Sequence, residues 1–329
     1  MLKITKKMRE KSEEIIDPIN QLRLYGYKRY FDLFKNLFAK KKLPNCILLS
    51  GQEGIGKSTF AYHFINSLLS KNEDYEYSLK EYEINEKNYS YNQIVNGTHF
   101  NFFRISSEAF NSQIKIDRSR ELIKFLNKTT YKQNFKIVLI ENIENFNISA
   151  ANAILKSLEE PNNNTFFFLI HNTAYQLLET IKSRCMIFKI HFSKVEKENI
   201  FNSLIKNHYS NLLDVDANYN LYFNSPGNLL YQNFLINNSN VKDSTNILSL
   251  IYLFLDKFSD TKNVQFLNFA SSYIEKFYNE LFYSNSNIMN ISLNNYNKIL
   301  KQIYFIKKFN LNEKNSFIWI KDLLRNETR

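Results

Sequence analysis

Residues 51–58 read GQEGIGKS, preceded at 46–49 by the apolar run CILL and followed by Phe60, Phe64, Ile65, Leu68 and Leu69 at helical spacing. This is strand, loop, helix. The octet fits G-x-x-x-x-G-K-[ST], the phosphate loop. Gly51, Gly54 and Gly56 let main-chain amides turn toward phosphate oxygens, the helix N-terminus adds positive partial charge, and Lys57 reaches for the β and γ phosphates. Ser58, followed by Thr59 in the first helical turn, is placed to ligate Mg²⁺.

Downstream, KIVLIENIENFN at 136–147 supplies a second buried strand, with Glu141, Asn142 and Glu144 at and beyond its carboxyl end. In open α/β sheets that end is where ligands bind. ATP-hydrolysing P-loop proteins usually finish such a strand in Asp-Glu, one carboxylate supporting Mg²⁺ and the other polarising water. Here the pair is Glu-Asn. Glu141 carries an extra methylene that crowds the ion, and the Asn142 amide holds a water without drawing off its proton. Glu144 reads as lying too far past the strand to take over.

Other segments alternate in the same way up to about residue 190. Residues 71–95 are polar, tyrosine-rich and aperiodic, which predicts a surface excursion. A strand is expected at 101–105, then a helix in IKIDRSRELIKFL with Asp117 as its N-cap. Arg120, Lys124 and Lys128 recur at i, i+4 and i+8 along that helix, either a phosphate-tracking face or an ordinary solvated basic one. NISAANAILKSLEEP gives a helix whose buried stripe is Ala151, Ile154, Leu155 and Leu158, stopped by Pro161. FFFLIHNTA is a further buried strand, and LLETIKSRCMIFKI a helix leading through Ser-Arg-Cys into a last strand. Beyond 190 the spacing is helical throughout.

Composition narrows the classes. The 329 residues exceed one typical core and predict two or three domains. A net charge of +11 suits a polyanion partner, although only 6 Gly and 4 Pro beside abundant Asn, Lys and Ile point to AT-rich coding, which also raises lysine. No apolar run approaches the roughly 18 residues of a membrane span, and the charged start lacks a signal-peptide core. A cytoplasmic protein without a membrane partner is expected. Cys46 and Cys185 are too few for a zinc module or disulfide framework, and His63, His99, His171, His191 and His208 show no metal-ligand spacing. Mg²⁺ is therefore the one metal expected, and zinc is not.

Taken in order, GQEGIGKS, NGTHFNFFRI, IKIDRSRELIKFL, SAANAILKSLEEP and SRC resemble the bacterial clamp-loader AAA+ family of the DNA polymerase III holoenzyme, over residues 18–190. Past 190 the resemblance rests on NSPGNLL and on length. It implies an α/β RecA-like AAA+ P-loop domain at 1–191, a small helical lid at 192–236, and an all-α collar at 237–329 that builds a hetero-pentamer. It also implies that Asn172 reads the γ-phosphate and that Arg184 is an arginine finger inserted into a neighbour's ATP site. Asn228 stands where ATP-using relatives tend to carry a sensor arginine, and the zinc module of some relatives is missing.

With Glu141 and Asn142, that makes three altered hydrolysis parts, so the chain is most similar to the stator branch, which does not itself burn ATP. Expected partners are the gamma/tau motor and delta subunits, the sliding clamp and primed DNA. ATP or ADP with Mg²⁺ is expected to bind weakly if at all, at Gly51, Gly54, Gly56, Lys57, Ser58, Thr59, Glu141 and Asn172. The alternatives are an ATP-hydrolysing motor subunit, a stand-alone P-loop kinase or transferase, and a plain DNA-binding protein.

Overall fold

Five short apolar segments pair in one parallel sheet: β1 (Cys46–Gly51), β2 (Phe102–Ile105), β3 (Lys136–Ile140), β4 (Thr165–Asn172) and β5 (Met186–Lys189), in the spatial order β2-β3-β4-β1-β5. The structure is a computed structural model and describes residues 15–106, 113–130, 135–161, 164–209, 224–239, 246–284, 289–309 and 313–327. Parallel neighbours need crossover connections, and helices supply them. These are α1 (Lys28–Ala39) before the sheet, then α2 (Lys57–Leu69), α3 (Tyr89–Val95), α4 (Ile116–Leu126), α5 (Ile148–Glu159) and the short α6 (Glu179–Lys182).

Helices on both faces explain why β1, β3 and β4 read as continuous apolar runs, whereas the edge strand β5 is largely exposed. Ile47, Leu49, Ile137, Leu139, Phe168 and Ile170 point into one core with α1 and α2. Cys46, Leu48, Val138, Ile140, Phe167 and Leu169 point into the other with α4 and α5. In the second core Ala151, Ile154 and Leu158 of α5 are buried and Leu155 partly so, as their spacing predicts. Asn147 starts that helix, its side chain accepting from the Ala150 amide at 2.7 Å. Cys46 and Cys185 are free thiols with their sulfurs side by side, 2.6 Å apart.

Two local expectations change. The 71–95 segment is anchored, because Tyr77, Ile84 and Ile94 are buried in the first core and Tyr77 stacks on Phe31 at 5.2 Å. Three anchors spread over 18 residues form no sustained run of either structural period, so the sequence pattern does not reveal them. The N-cap of α4 is Lys115 and not Asp117, which lies in the first turn and pairs with Arg120 at 3.0 Å. Lys128 falls two residues past the end of α4.

Strand register sets up the site. Gly51 lies opposite Asn172, and Ile140 opposite both Ile105 and Leu169, so the carboxyl ends of β1 to β4 share one edge. After β5 come α7 (Lys194–His208), opened by a Ser193 and Glu196 capping box, and α8 (Pro226–Asn237).

The chain divides into two units, 1–234 and 235–329. In the second, α9 (Ile247–Thr261), α10 (Val264–Ser284), α11 (Met289–Phe309) and α12 (Glu313–Glu327) contact one another in sequence, and α12 returns to α9. Leu250, Ile251, Phe254, Leu255 and Phe258 of α9 fill its interior, with Phe269 and Tyr273 of α10 against Phe254. Among the described residues, no helix is long and apolar enough to cross a membrane.

Candidate phosphate-loop site

Between β1 and α2 the loop closes on itself through its carbonyl groups. Those of Gly51 and Gln52 each accept from Lys57 Nζ at 2.7 Å. The Gly54 carbonyl accepts from the Gly227 amide at 2.9 Å, and that of Ile55 from the Tyr27 hydroxyl at 2.9 Å. Four carbonyls of the loop are thus held by protein donors. Gly54 and Gly56 have φ of 70° and 95°, left-handed values that favour glycine. A Cβ at Gly54 would stand 2.5 Å from Ser225 Oγ, and one at Gly227 would stand 2.6 Å from the Gly54 oxygen. The start of α8 therefore seats directly on the loop.

Lys57 is buried, and desolvation pulls its pKa down to about 8 against the opposing pull of Glu144 and Glu53. Burial raises both of those carboxyls above their ordinary range, with Lys57 acting the other way. Asn172 bridges them, its side-chain amide donating to Glu53 at 3.4 Å and its main-chain amide to Glu144 at 3.3 Å. Glu144 Oε2 is buried and has no hydrogen-bond partner among the described residues. Ser58 and Thr59 lie partly exposed in the first turn of α2.

Glu144 is thus part of the site, contrary to the sequence expectation. The reason is Asn142, whose left-handed backbone (φ 52°, ψ 58°) curls the chain into a 3-10 turn at Ile143–Asn145. An asparagine just after a strand tolerates that conformation, which is the signal the sequence offered. Asn142 itself is exposed. Glu141 belongs elsewhere: it is buried and forms a 2.7 Å ion pair with Arg104 of neighbouring β2. Burial raises its carboxyl and Arg104 opposes the shift. The charges acting on Lys57 are Glu144 and Glu53, so the structure gathers Gly51, Gly54, Gly56, Lys57, Ser58, Thr59 and Asn172 and leaves Glu141 to Arg104. Glu53, Tyr27 and Gly227 join the site unforeseen.

Arg184 is not near its own loop. Strand β5 runs parallel to β1 with Met186 opposite Ile47, so Arg184 lies beyond the amino end of the sheet. Four residues of strand, roughly 13 Å, separate that end from Gly51. The Arg184 guanidinium reaches Glu159 at 3.2 Å and the Thr180 carbonyl at 2.7 Å. On α4 and just beyond it, Arg120, Lys124 and Lys128 are all exposed.

Chemically the loop is an anion cradle, formed by glycine-loop amides, a helix N-terminus and one lysine. That donor set fits the phosphates of a nucleotide, whereas Glu53 and Glu144 beside Lys57 do not. Residues 26–194 match the family model described as DNA polymerase III, delta subunit. The chain is 34% identical over 154 residues to DNA polymerase III subunit delta' of Pseudomonas aeruginosa, covering 47% of this chain and 45% of that protein. It is 29% identical over 182 residues to DNA polymerase III subunit gamma of Buchnera aphidicola subsp. Schizaphis graminum, covering 55% and 47%. The chain spans about half the length of the curated relatives it matches. A solved structure of a gamma subunit-related protein from Thermotoga maritima is similar at 19% identity and a TM-score of 0.47, covering 91% of this chain and 99% of that one.

Proposed function

This chain belongs to the DNA polymerase III delta-subunit family of clamp-loader proteins, and on that premise we propose that it is the non-hydrolysing stator, delta-prime, of the clamp loader. One observation carries the reading: Glu141, at the strand end where a Mg²⁺-supporting carboxylate belongs, is committed to Arg104, and its neighbour Asn142 faces solvent. A strand end so occupied neither holds the ion nor activates water. The chain completes a cytoplasmic hetero-pentamer with gamma/tau motor and delta subunits and helps hold the sliding clamp and primed DNA. Its lid at 192–236 and collar at 237–329 serve ring assembly, and Arg120, Lys124 and Lys128 track DNA phosphates.

In this reading Arg184 serves a neighbour's ATP site, and its place at the far end of the sheet from Gly51 supports action in trans. An arginine finger is typically worth about 10³- to 10⁵-fold in rate.

A second reading, an ATP-hydrolysing gamma/tau-like motor, draws support from Glu144, a carboxylate near Lys57 that could serve as base. DNA-stimulated ATPase of a loader reconstituted with this chain separates the two. For a stator, Arg184→Ala removes most of the rate and Lys57→Ala little; the reverse pattern establishes a motor.

A further inference from the structure

The loop's contacts divide into two chemically opposite sides. Its carbonyls are tied to Lys57, Gly227 and Tyr27, leaving glycine-loop amides and the start of α2 for an anion. Toward the ends of β3 and β4, however, the groups beside Lys57 are two carboxylates, Glu53 and Glu144. Asn172 donates a side-chain N–H to Glu53 at 3.4 Å and its main-chain N–H to Glu144 at 3.3 Å. Formal charge there is one positive against two negative. In a phosphate loop the amides cradle the α and β phosphates and the lysine spans the β and γ phosphates. In this reading a diphosphate ends at Lys57, whereas a triphosphate brings one further phosphate up to the two carboxylates.

We propose that this site accepts a nucleoside diphosphate and rejects a nucleoside triphosphate, with Glu53, fixed by Asn172, as the residue that sets the choice. The proposal rests on reading residues 51–58 as a nucleotide loop and deepens the stator assignment. A retained loop then serves as a structural seat for ADP, and hydrolysis is denied at the binding step as well as at the chemical one. Rejection by an uncompensated like charge is a common way of building specificity. Glu144 reinforces it, because among the described residues its Oε2 has no hydrogen-bond partner and a phosphate oxygen supplies no proton.

The test is calorimetric titration of the full chain with ADP and with ATP, each with Mg²⁺, for wild type, Glu53→Gln, Glu144→Gln and Lys57→Ala. Glutamine keeps the size of the side chain and an acceptor for Asn172, so the Glu53→Gln fold is expected to hold, and thermal unfolding checks it. Wild type should bind ADP at least about tenfold more tightly than ATP, and Glu53→Gln should bring the two within about threefold by tightening ATP alone. Glu144→Gln should move the ratio in the same direction, and Lys57→Ala should weaken both nucleotides.

Equal affinities in wild type, or a ratio unmoved by Glu53→Gln, overturn the proposal and leave the nucleotide loop standing. Tighter ATP that Glu53→Gln weakens also overturns it, because the carboxylates would then be holding Mg²⁺. Absence of binding by either nucleotide to wild type and to both glutamine variants overturns the nucleotide-loop reading and the proposal together.

Discussion

Glu141 and Arg104 are joined across neighbouring strands at 2.7 Å, and the carboxylate is almost wholly out of water while the guanidinium is 35% exposed. Arg104→Ala therefore strands a buried charge. Removing one partner of a fully buried pair costs about 3–5 kcal/mol; partial exposure of Arg104 reduces the expectation to about 1–3 kcal/mol. Burial already lifts the Glu141 carboxyl. A raised folded-state pKa favours the folded chain at low pH and loses that contribution as pH rises through it, so the deficit of Arg104→Ala should shrink on acidification. Urea unfolding at several pH values measures this; a deficit that grows in acid would count against the buried-charge account.

The seat of α8 on the loop predicts that Gly227→Ala is destabilising, because its Cβ would lie 2.6 Å from the Gly54 oxygen. Overpacking of this kind costs about 1–3 kcal/mol. Gly97→Asn is the control, since nothing lies within 4 Å there and asparagine tolerates its φ of 66°. Equal unfolding midpoints for the two variants would mean that α8 lifts off freely.

His63 is fully buried, its Nε2 against the Gln21 carbonyl at 2.8 Å and its Nδ1 against the Tyr77 hydroxyl at 3.0 Å. Burial lowers its pKa to about 4. The folded chain thus refuses a proton that the unfolded chain takes. Stability is unaffected above the unfolded value and is lost as pH falls from about 6.5 toward 4, by about 3 kcal/mol in full. The check is stability against pH for wild type and His63→Asn, the variant giving the flatter curve; parallel curves would assign the acid loss to other groups.

Arg184→Ala separates a structural from a catalytic role. Its ion pair with the exposed Glu159 should contribute no more than about 1 kcal/mol to the isolated chain. Unfolding of that variant alone should be nearly unchanged while the reconstituted loader loses most of its ATPase. A large loss of stability would instead make Arg184 a structural residue of the α5 and α6 surface.

What the sequence disclosed and what it withheld follow a physical division. The octet around Lys57 was legible because its chemistry depends on contiguous spacing, and the stripe of α5 because its period is local. Asn172 at the loop required a strand order, which the family resemblance supplied. Arg104 beside Glu141 depends on β2 lying next to β3, and no spacing encodes that. Glu144 was misplaced because a single left-handed residue, Asn142, reverses a direction that strand geometry would otherwise carry onward. Tyr77, Ile84 and Ile94 escaped because irregular chain can be anchored without being periodic.

The contact between Gly54 and Gly227 also bears on how this gene can change. Glycine codons begin with two G bases, so a genome drifting toward A and T sheds glycine wherever another residue will serve. Six remain here, and Gly51, Gly54, Gly56 and Gly227 surround one loop. At Gly54 a side chain would meet Ser225 and Asn228, and at Gly227 it would meet Gly54 itself. Neither codon is therefore free to drift while the start of α8 sits on the loop, because a side chain at either position is pushed into the other segment.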